Sequence, residues 1–205
     1  MPVTADAALE RLKGGNRRFA EGAGGLAQPT GPERRSELIA GQEPFAVILG
    51  CSDSRVPAEI IFHQGLGDLF VIRVAGNVVS PSQVGSVEFA AERFGTRLVV
   101  VLGHTMCGAV RATVEELRRP TGLRSRNLRA IVDRIRPAVE TVTAIRPDAD
   151  DAELIAEAVR ANVRASADHL RHGSSILEDL IRRDGLRVVG AEYDLKSGLV
   201  DFFDG

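Results

Sequence analysis

Four short apolar runs, each closed by glycine or a polar residue, punctuate the chain. Phe45 to Leu49 stops at Gly50, Leu69 to Ala75 at Gly76, Arg97 to Leu102 at Gly103, and Leu186 to Ala191 precedes Glu192. Runs this short and this continuously apolar predict strands buried on both faces, as in a parallel sheet flanked by helices. Helical periodicity fills the gaps. Val84, Val87, Ala91 and Phe94 recur at helical spacing, and Ile176, Leu177, Leu180 and Ile181 form a stripe that ends before Gly185. Alternating strand and helix signals predict an α/β domain. Upstream, Ala5 to Phe19 places Ala8, Leu9, Leu12 and Phe19 on one face, and a polar stretch from Glu21 to Glu33 follows. Residues 1–35 therefore form a helical arm that docks on its own body or on a partner subunit. Near the other end, Asp194 to Gly198 is a turn signal between two short β-prone pieces, a C-terminal β extension. No repeat or linker interrupts the pattern, so residues 1–205 read as a single domain.

Composition narrows the function classes. With 205 residues, 44% of them hydrophobic, the chain buries about 70% of its unfolded surface and needs no disulfide or metal to hold its core. The only cysteines, Cys51 and Cys107, make no secreted disulfide framework, and the residues around Met1 do not resemble a signal peptide. A reducing, cytoplasmic setting is the expectation. No apolar run approaches the roughly 18 residues of a membrane span. Arg and Lys number 26 against 28 acids, a net charge of -2, which offers no global attraction to nucleic acid or anionic lipid. Seven arginines between Arg118 and Arg136 face one acid, Asp133, while Asp148 to Glu157 is acidic. These read as solvated faces that touch each other, because the basic stretch lacks aromatics for base stacking.

Chemistry concentrates just past two strands. Gly50-Cys51-Ser52-Asp53-Ser54-Arg55 follows the first, and Gly103-His104-Thr105-Met106-Cys107-Gly108 follows the third. Two thiols and an imidazole suit zinc, and three protein ligands leave one position for chemistry. Asp53 either fills that position or acts beside it. Taken singly each cluster has a bland alternative: a buried cysteine packing as a small hydrophobe, or Asp53 capping a helix near Pro57. What sets them apart is that both cysteines and one of the four histidines sit just past glycine-terminated strands. In a doubly wound sheet, ligands collect at the carboxyl edge where strand order reverses. If Cys51 and Cys107 share an ion, the first and third strands are neighbours and the order is 2-1-3-4.

The paired motif Cys51-Ser52-Asp53-Ser54-Arg55-Val56 and Gly103-His104-Thr105-Met106-Cys107-Gly108 resembles the signature of the β-class carbonic anhydrases. The likeness extends through Asp68 to Asn77 and Gly85 to Ala90 and covers most of Gln42 to Val110. The resemblance implies reversible hydration of carbon dioxide to bicarbonate and a proton by zinc-bound hydroxide, with one Zn2+ per chain on Cys51, His104 and Cys107. It implies a catalytic dyad of Asp53 and Arg55, with Asp53 becoming the fourth zinc ligand in a closed form. Gln42 matches a substrate-binding glutamine supplied across a dimer interface. The Gly108 amide, Phe70 and Ala75 match the remainder of a small substrate pocket. A homodimer or homotetramer follows, without nucleic-acid or membrane partners.

Two positions depart from the pattern: Phe89 stands where many relatives carry tyrosine, and Ile48 where relatives with an inhibitory bicarbonate site carry tryptophan, although Arg73 matches another part of that site. His63 is a proton-shuttle candidate by chemistry and a packing residue by its place at a helix end, whereas His169 and His172 read as solvent-facing. Relatives on the same fold hydrolyse carbonyl sulfide or carbon disulfide, which is the alternative enzyme reading. A non-catalytic zinc module closed by Asp53 is the alternative outside catalysis, and a redox pair lacks a Cys-x-x-Cys.

Overall fold

The computed structural model describes residues 3–22, 30–119 and 125–203. Helix α1 (Ala5–Ala20) and the short α2 (Pro32–Glu37) lead into alternating elements: β1 (Ala46–Gly50), α3 (Ala58–Ile61), β2 (Leu69–Arg73), α4 (Pro81–Arg93), β3 (Leu98–His104) and α5 (Gly108–Arg118). Then α6 (Arg126–Ile145), α7 (Asp151–His172) and α8 (Ser175–Arg183) precede β4 (Arg187–Tyr193) and β5 (Val200–Phe203). The strands form one sheet in the order β2-β1-β3-β4-β5. The first four are parallel, and β5 returns antiparallel on β4. The expected order 2-1-3-4 and the C-terminal β extension are both present, and the strand order reverses between β1 and β3.

Every residue of β1 and β3 is buried, which is why their sequences read as unbroken apolar runs. Their side chains still alternate between faces. Ile48, Leu98, Val100 and Leu102 pack with Leu9 and Leu12 of α1 and with Ile61 and Phe62. Val47, Leu49, Val99 and Val101 pack with Val87 of α4, Val163 and Leu170 of α7 and Leu177 of α8. Leu12 has no exposed surface, and burying a leucine side chain is worth about 1.5–3 kcal/mol. The arm's first helix thus lies on its own sheet. Asn16 ties it down further: Nδ2 donates to the carbonyls of Ile61 (3.2 Å) and Gly198 (2.9 Å), and Oδ1 accepts from the Val200 amide at 2.8 Å. Residues 1–2 and 23–29 of the arm lie outside the described residues.

Two boundaries differ from the sequence pattern. Gly103 does not end β3. A β-carbon there would sit 2.5 Å from Val163 Cγ2, so the glycine marks a close approach of α7 to the sheet, and pairing continues through Gly103↔Glu192 and His104↔Tyr193. Conversely β2 stops at Arg73, because the chain enters a short 3₁₀ turn, Ala75–Asn77, with Gly76 at φ 69°. The charged stretches touch as expected where Arg118 pairs with Asp151, and Arg146, beyond the basic stretch, pairs with Glu157 at 2.6 Å. Arg124, one of the seven arginines, falls outside the described residues. Among the described residues no helix is long and apolar enough to cross a membrane.

Candidate metal centre

The carboxyl ends of β1 and β3 deliver the donors. Cys51 follows the last residue of β1, His104 is the last residue of β3, and Cys107 is the N-cap of α5. Parallel pairing of Gly50 with Leu102 holds the two strand ends side by side. One donor atom from each of Cys51, His104 and Cys107 lies within 4.8 Å of the others. All three residues are buried, at 5%, 0% and 1% exposure.

His104 is oriented from behind. Its Nδ1 lies 2.9 Å from the Thr105 carbonyl, so a proton on Nδ1 donates there and the lone pair remains on Nε2. Nε2 is buried and has no hydrogen-bond partner. Such an atom costs about 1–3 kcal/mol if it stays unsatisfied, and metal ligation satisfies it. Thr105 is fixed in turn, its amide donating to Tyr193 O at 3.0 Å and its hydroxyl accepting from the Leu195 amide at 3.0 Å.

The thiols point to the same ligand. A hydrogen bond from Cys107, aided by His104 and by the amides of Gly76 and Asp53, pulls the Cys51 thiol well below its usual range. Its hydrogen bond to Cys51 and its own burial push the Cys107 thiol upward. The pair therefore carries one negative charge readily and resists the second, a penalty that a divalent cation removes. Two thiolates and one imidazole in a buried cluster fit zinc in tetrahedral coordination.

Asp53 borders this cluster, with Oδ2 3.8 Å from His104 Nε2. Arg55 grips it bidentately, Nε donating to Oδ1 at 2.9 Å and Nη2 to Oδ2 at 2.7 Å, while the Arg55 amide donates to Oδ1 at 3.0 Å. Those hydrogen bonds hold the Asp53 carboxyl far below the usual carboxylate range and raise the guanidinium. Asp53 caps no helix: α3 begins behind Pro57 without a side-chain cap. Oδ1 accepts two hydrogen bonds and Oδ2 one, so Oδ2 keeps a lone pair on the side of the cluster while Arg55 holds the carboxylate.

Not every predicted site residue meets there. Gly108 opens α5 directly after Cys107, and a β-carbon on it would meet nothing within 4 Å. Ala75 starts the turn whose next residue, Gly76, donates its amide to Cys51 Sγ at 3.3 Å. Gln42 is exposed, four residues before β1, so the whole strand, about 16 Å of extended chain, lies between it and Cys51. Phe70 pairs with Val47, well short of the carboxyl edge, and its ring packs with Phe89 and Phe94 at 6.2 and 6.1 Å. His63 is a packing residue at 6% exposure, whereas His169 and His172 face solvent.

Three residues make contacts that have no counterpart in the sequence reading. Arg73 donates to the carbonyls of Cys51 (Nε, 2.9 Å) and Asp53 (Nη2, 2.5 Å), clamping the loop between them. Asn162 and Ser166 of α7 donate to the carbonyls of Gly76 (2.8 Å) and Asn77 (3.1 Å). Arg73 lies in the stretch that carries the family resemblance, but a polar residue on a helix gives no local sign of a partner nearly ninety positions away.

The family model for carbonic anhydrase matches residues 46–200. Carbonic anhydrase 2 of Mycobacterium tuberculosis is 39% identical over 196 residues, covering 94% of this chain and 89% of that one. Among solved structures, a β-carbonic anhydrase of Aspergillus fumigatus superposes with a TM-score of 0.76 at 29% identity, over 97% of this chain and 90% of that one. One of two tetrameric β-carbonic anhydrases from Sordaria macrospora does so with a TM-score of 0.72 at 25% identity, over 85% and 87%.

Proposed function

Since the chain belongs to the β-class carbonic anhydrase family and hydrates carbon dioxide reversibly to bicarbonate, we propose that Asp53 and Arg55 are its catalytic pair and that Gln42 serves the pocket of a second copy. The observation that carries the reading is the cluster of Cys51, His104 and Cys107 donors within 4.8 Å, with the Asp53–Arg55 pair at its border.

Zinc on these three residues would lower the pKa of water to roughly 7 and so supply hydroxide at neutral pH. The residues around it do the remainder. Arg55 keeps Asp53 ionised and aimed through a planar two-point grip that lysine would reproduce poorly. The carboxylate then accepts a hydrogen bond from the reacting water and turns its oxygen toward the substrate. Carbon dioxide is uncharged, so Ala75 and Phe70 provide apolar walls, with Phe70, like Gln42, lying away from its own chain's centre. The amide of Gly108 and the side chain of Gln42 donate to the substrate oxygens, where negative charge grows as bicarbonate forms. Purified protein is expected to carry about one zinc per chain by elemental analysis and to hydrate carbon dioxide rapidly in stopped flow. Zinc-loaded protein without hydration would leave a binding module, and protein free of transition metal would remove the mechanism.

The strand length between Gln42 and Cys51 argues that the glutamine acts in trans. Ile39 (86% exposed) and Phe89 (53% exposed) lie uncovered, and α2 buries no residue, which supports a subunit contact that includes this part of the 1–35 arm. One of the solved relatives is tetrameric, in line with a homodimer or homotetramer here. Light scattering should give at least a dimer. Gln42→Ala should lower hydration about five- to tenfold, the value of one lost hydrogen bond, at unchanged zinc content; a fully active monomer would contradict the trans assignment. Two free buried thiols call for a reducing setting, which supports a cytoplasmic location.

A further inference from the structure

The turn Ala75–Asn77 between β2 and α4 holds two successive residues in the left-handed region, Gly76 at φ 69° and Asn77 at φ 44°. Glycine takes this region freely and asparagine is among the few other residues that enter it readily, so the sequence permits the turn and its surroundings select it. Glycine at 76 is required twice over, by φ and because a β-carbon would sit 2.7 Å from Ile135 Cδ1 and 3.0 Å from Ala109 Cβ. What imposes the conformation is α7. Asn162 and Ser166, one helical turn apart on the same face, donate to two consecutive carbonyls, Gly76 O at 2.8 Å and Asn77 O at 3.1 Å. Both side chains are buried, at 2% and 6% exposure. The Gly76 amide belongs to the preceding peptide plane and is joined to the held carbonyl only through the φ and ψ of Gly76, 69° and 21°; with those angles held, it lies 3.3 Å from Cys51 Sγ.

We propose that Asn162 and Ser166 are positioning residues for the metal centre: they lock the Gly76–Asn77 turn so that the Gly76 amide donates to the Cys51 sulfur and sets its strength as a zinc ligand. The inference rests on the zinc reading above. An N–H donor on a metal-bound sulfur draws electron density away from the metal and fixes the direction of the sulfur lone pairs. Outer partners of this kind change metal affinity about 10- to 100-fold when removed. Neither residue touches a donor atom of the metal cluster in the contacts described, so their influence passes through the turn.

Cobalt(II) in place of zinc makes the sulfur visible through its thiolate-to-metal charge-transfer absorption. In Asn162→Leu, loss of the donor is expected to move that band to longer wavelength and to weaken zinc about tenfold in competition with a chromophoric chelator. Ser166→Ala removes a single hydroxyl and should shift the band in the same direction by less. Asn16→Leu removes a buried asparagine with three hydrogen bonds on the opposite sheet face; it should lower the melting temperature and leave band and affinity in place. Folded Asn162→Leu with an unmoved band and unchanged affinity overturns the proposal. Should Asn162→Leu not fold, Ser166→Ala decides, and an unmoved band there overturns it equally. Wild-type protein that takes up neither metal would sink the zinc reading itself, an outcome distinct from a wild-type band that the variants fail to move.

Discussion

His104→Ala should abolish both metal retention and hydration, taking zinc from about one per chain to background and the rate down at least a thousandfold, about 4 kcal/mol of transition-state stabilisation. The imidazole is fully buried and its Nδ1 is within hydrogen-bonding distance of the Thr105 carbonyl, leaving Nε2 without a hydrogen-bond partner. No other described histidine, aspartate or glutamate joins the Cys51 and Cys107 cluster to replace it. Two thiols alone cannot complete a tetrahedral site, and the second deprotonation that the buried pair resists is no longer offset by a held cation. Elemental analysis and stopped flow check the two losses directly. Thermal unfolding supplies an independent readout, since a ligand that binds only the folded state raises the melting temperature. Added zinc should stabilise the metal-depleted wild type and leave His104→Ala unchanged. Retained zinc at a wild-type rate would remove His104 from the ligand set.

Much of this architecture is legible in the chain because two physical signals coincide. Strands buried on both faces are continuously apolar, so β1 and β3 stand out. If Cys51 and the His104-x-x-Cys107 motif at their ends share one ion, these two strands must be neighbours, and the sheet has that order. Gly103 shows where the same signal misleads. Glycine serves both to stop a strand and to let a helix approach one, and only the position of Val163 distinguishes the two. The dyad is legible for a different reason: Asp53 and Arg55 are two residues apart, so their pairing is local. Asn162 and Ser166 lie 86 and 89 positions from the carbonyls they hold, and nothing in an amphipathic helix marks which polar residue will be buried against a turn. Gln42 and Phe70 were identifiable only by resemblance. The fold adds only their place: Gln42 precedes β1 and Phe70 is near the amino end of β2, both away from the carboxyl edge that holds the donors.

Asp53→Ala is expected to lower hydration about 100- to 1,000-fold, the range of a lost general acid–base partner, while zinc stays at about one per chain. Stability should barely move, since the guanidinium released is half exposed and surface ion pairs contribute little. A melting temperature close to that of the wild type therefore allows the rate loss to be read as chemistry. Arg55→Lys separates holding from accepting. It preserves the carboxylate and a positive charge but loses the bidentate grip of Nε and Nη2 on the two oxygens, so its rate should fall between wild type and Asp53→Ala. An unchanged rate in Asp53→Ala would exclude the dyad. Loss of zinc together with the rate would make Asp53 a metal ligand in the working enzyme, and its oxygen nearest the cluster, Oδ2, 3.8 Å from His104 Nε2, would be the one that binds.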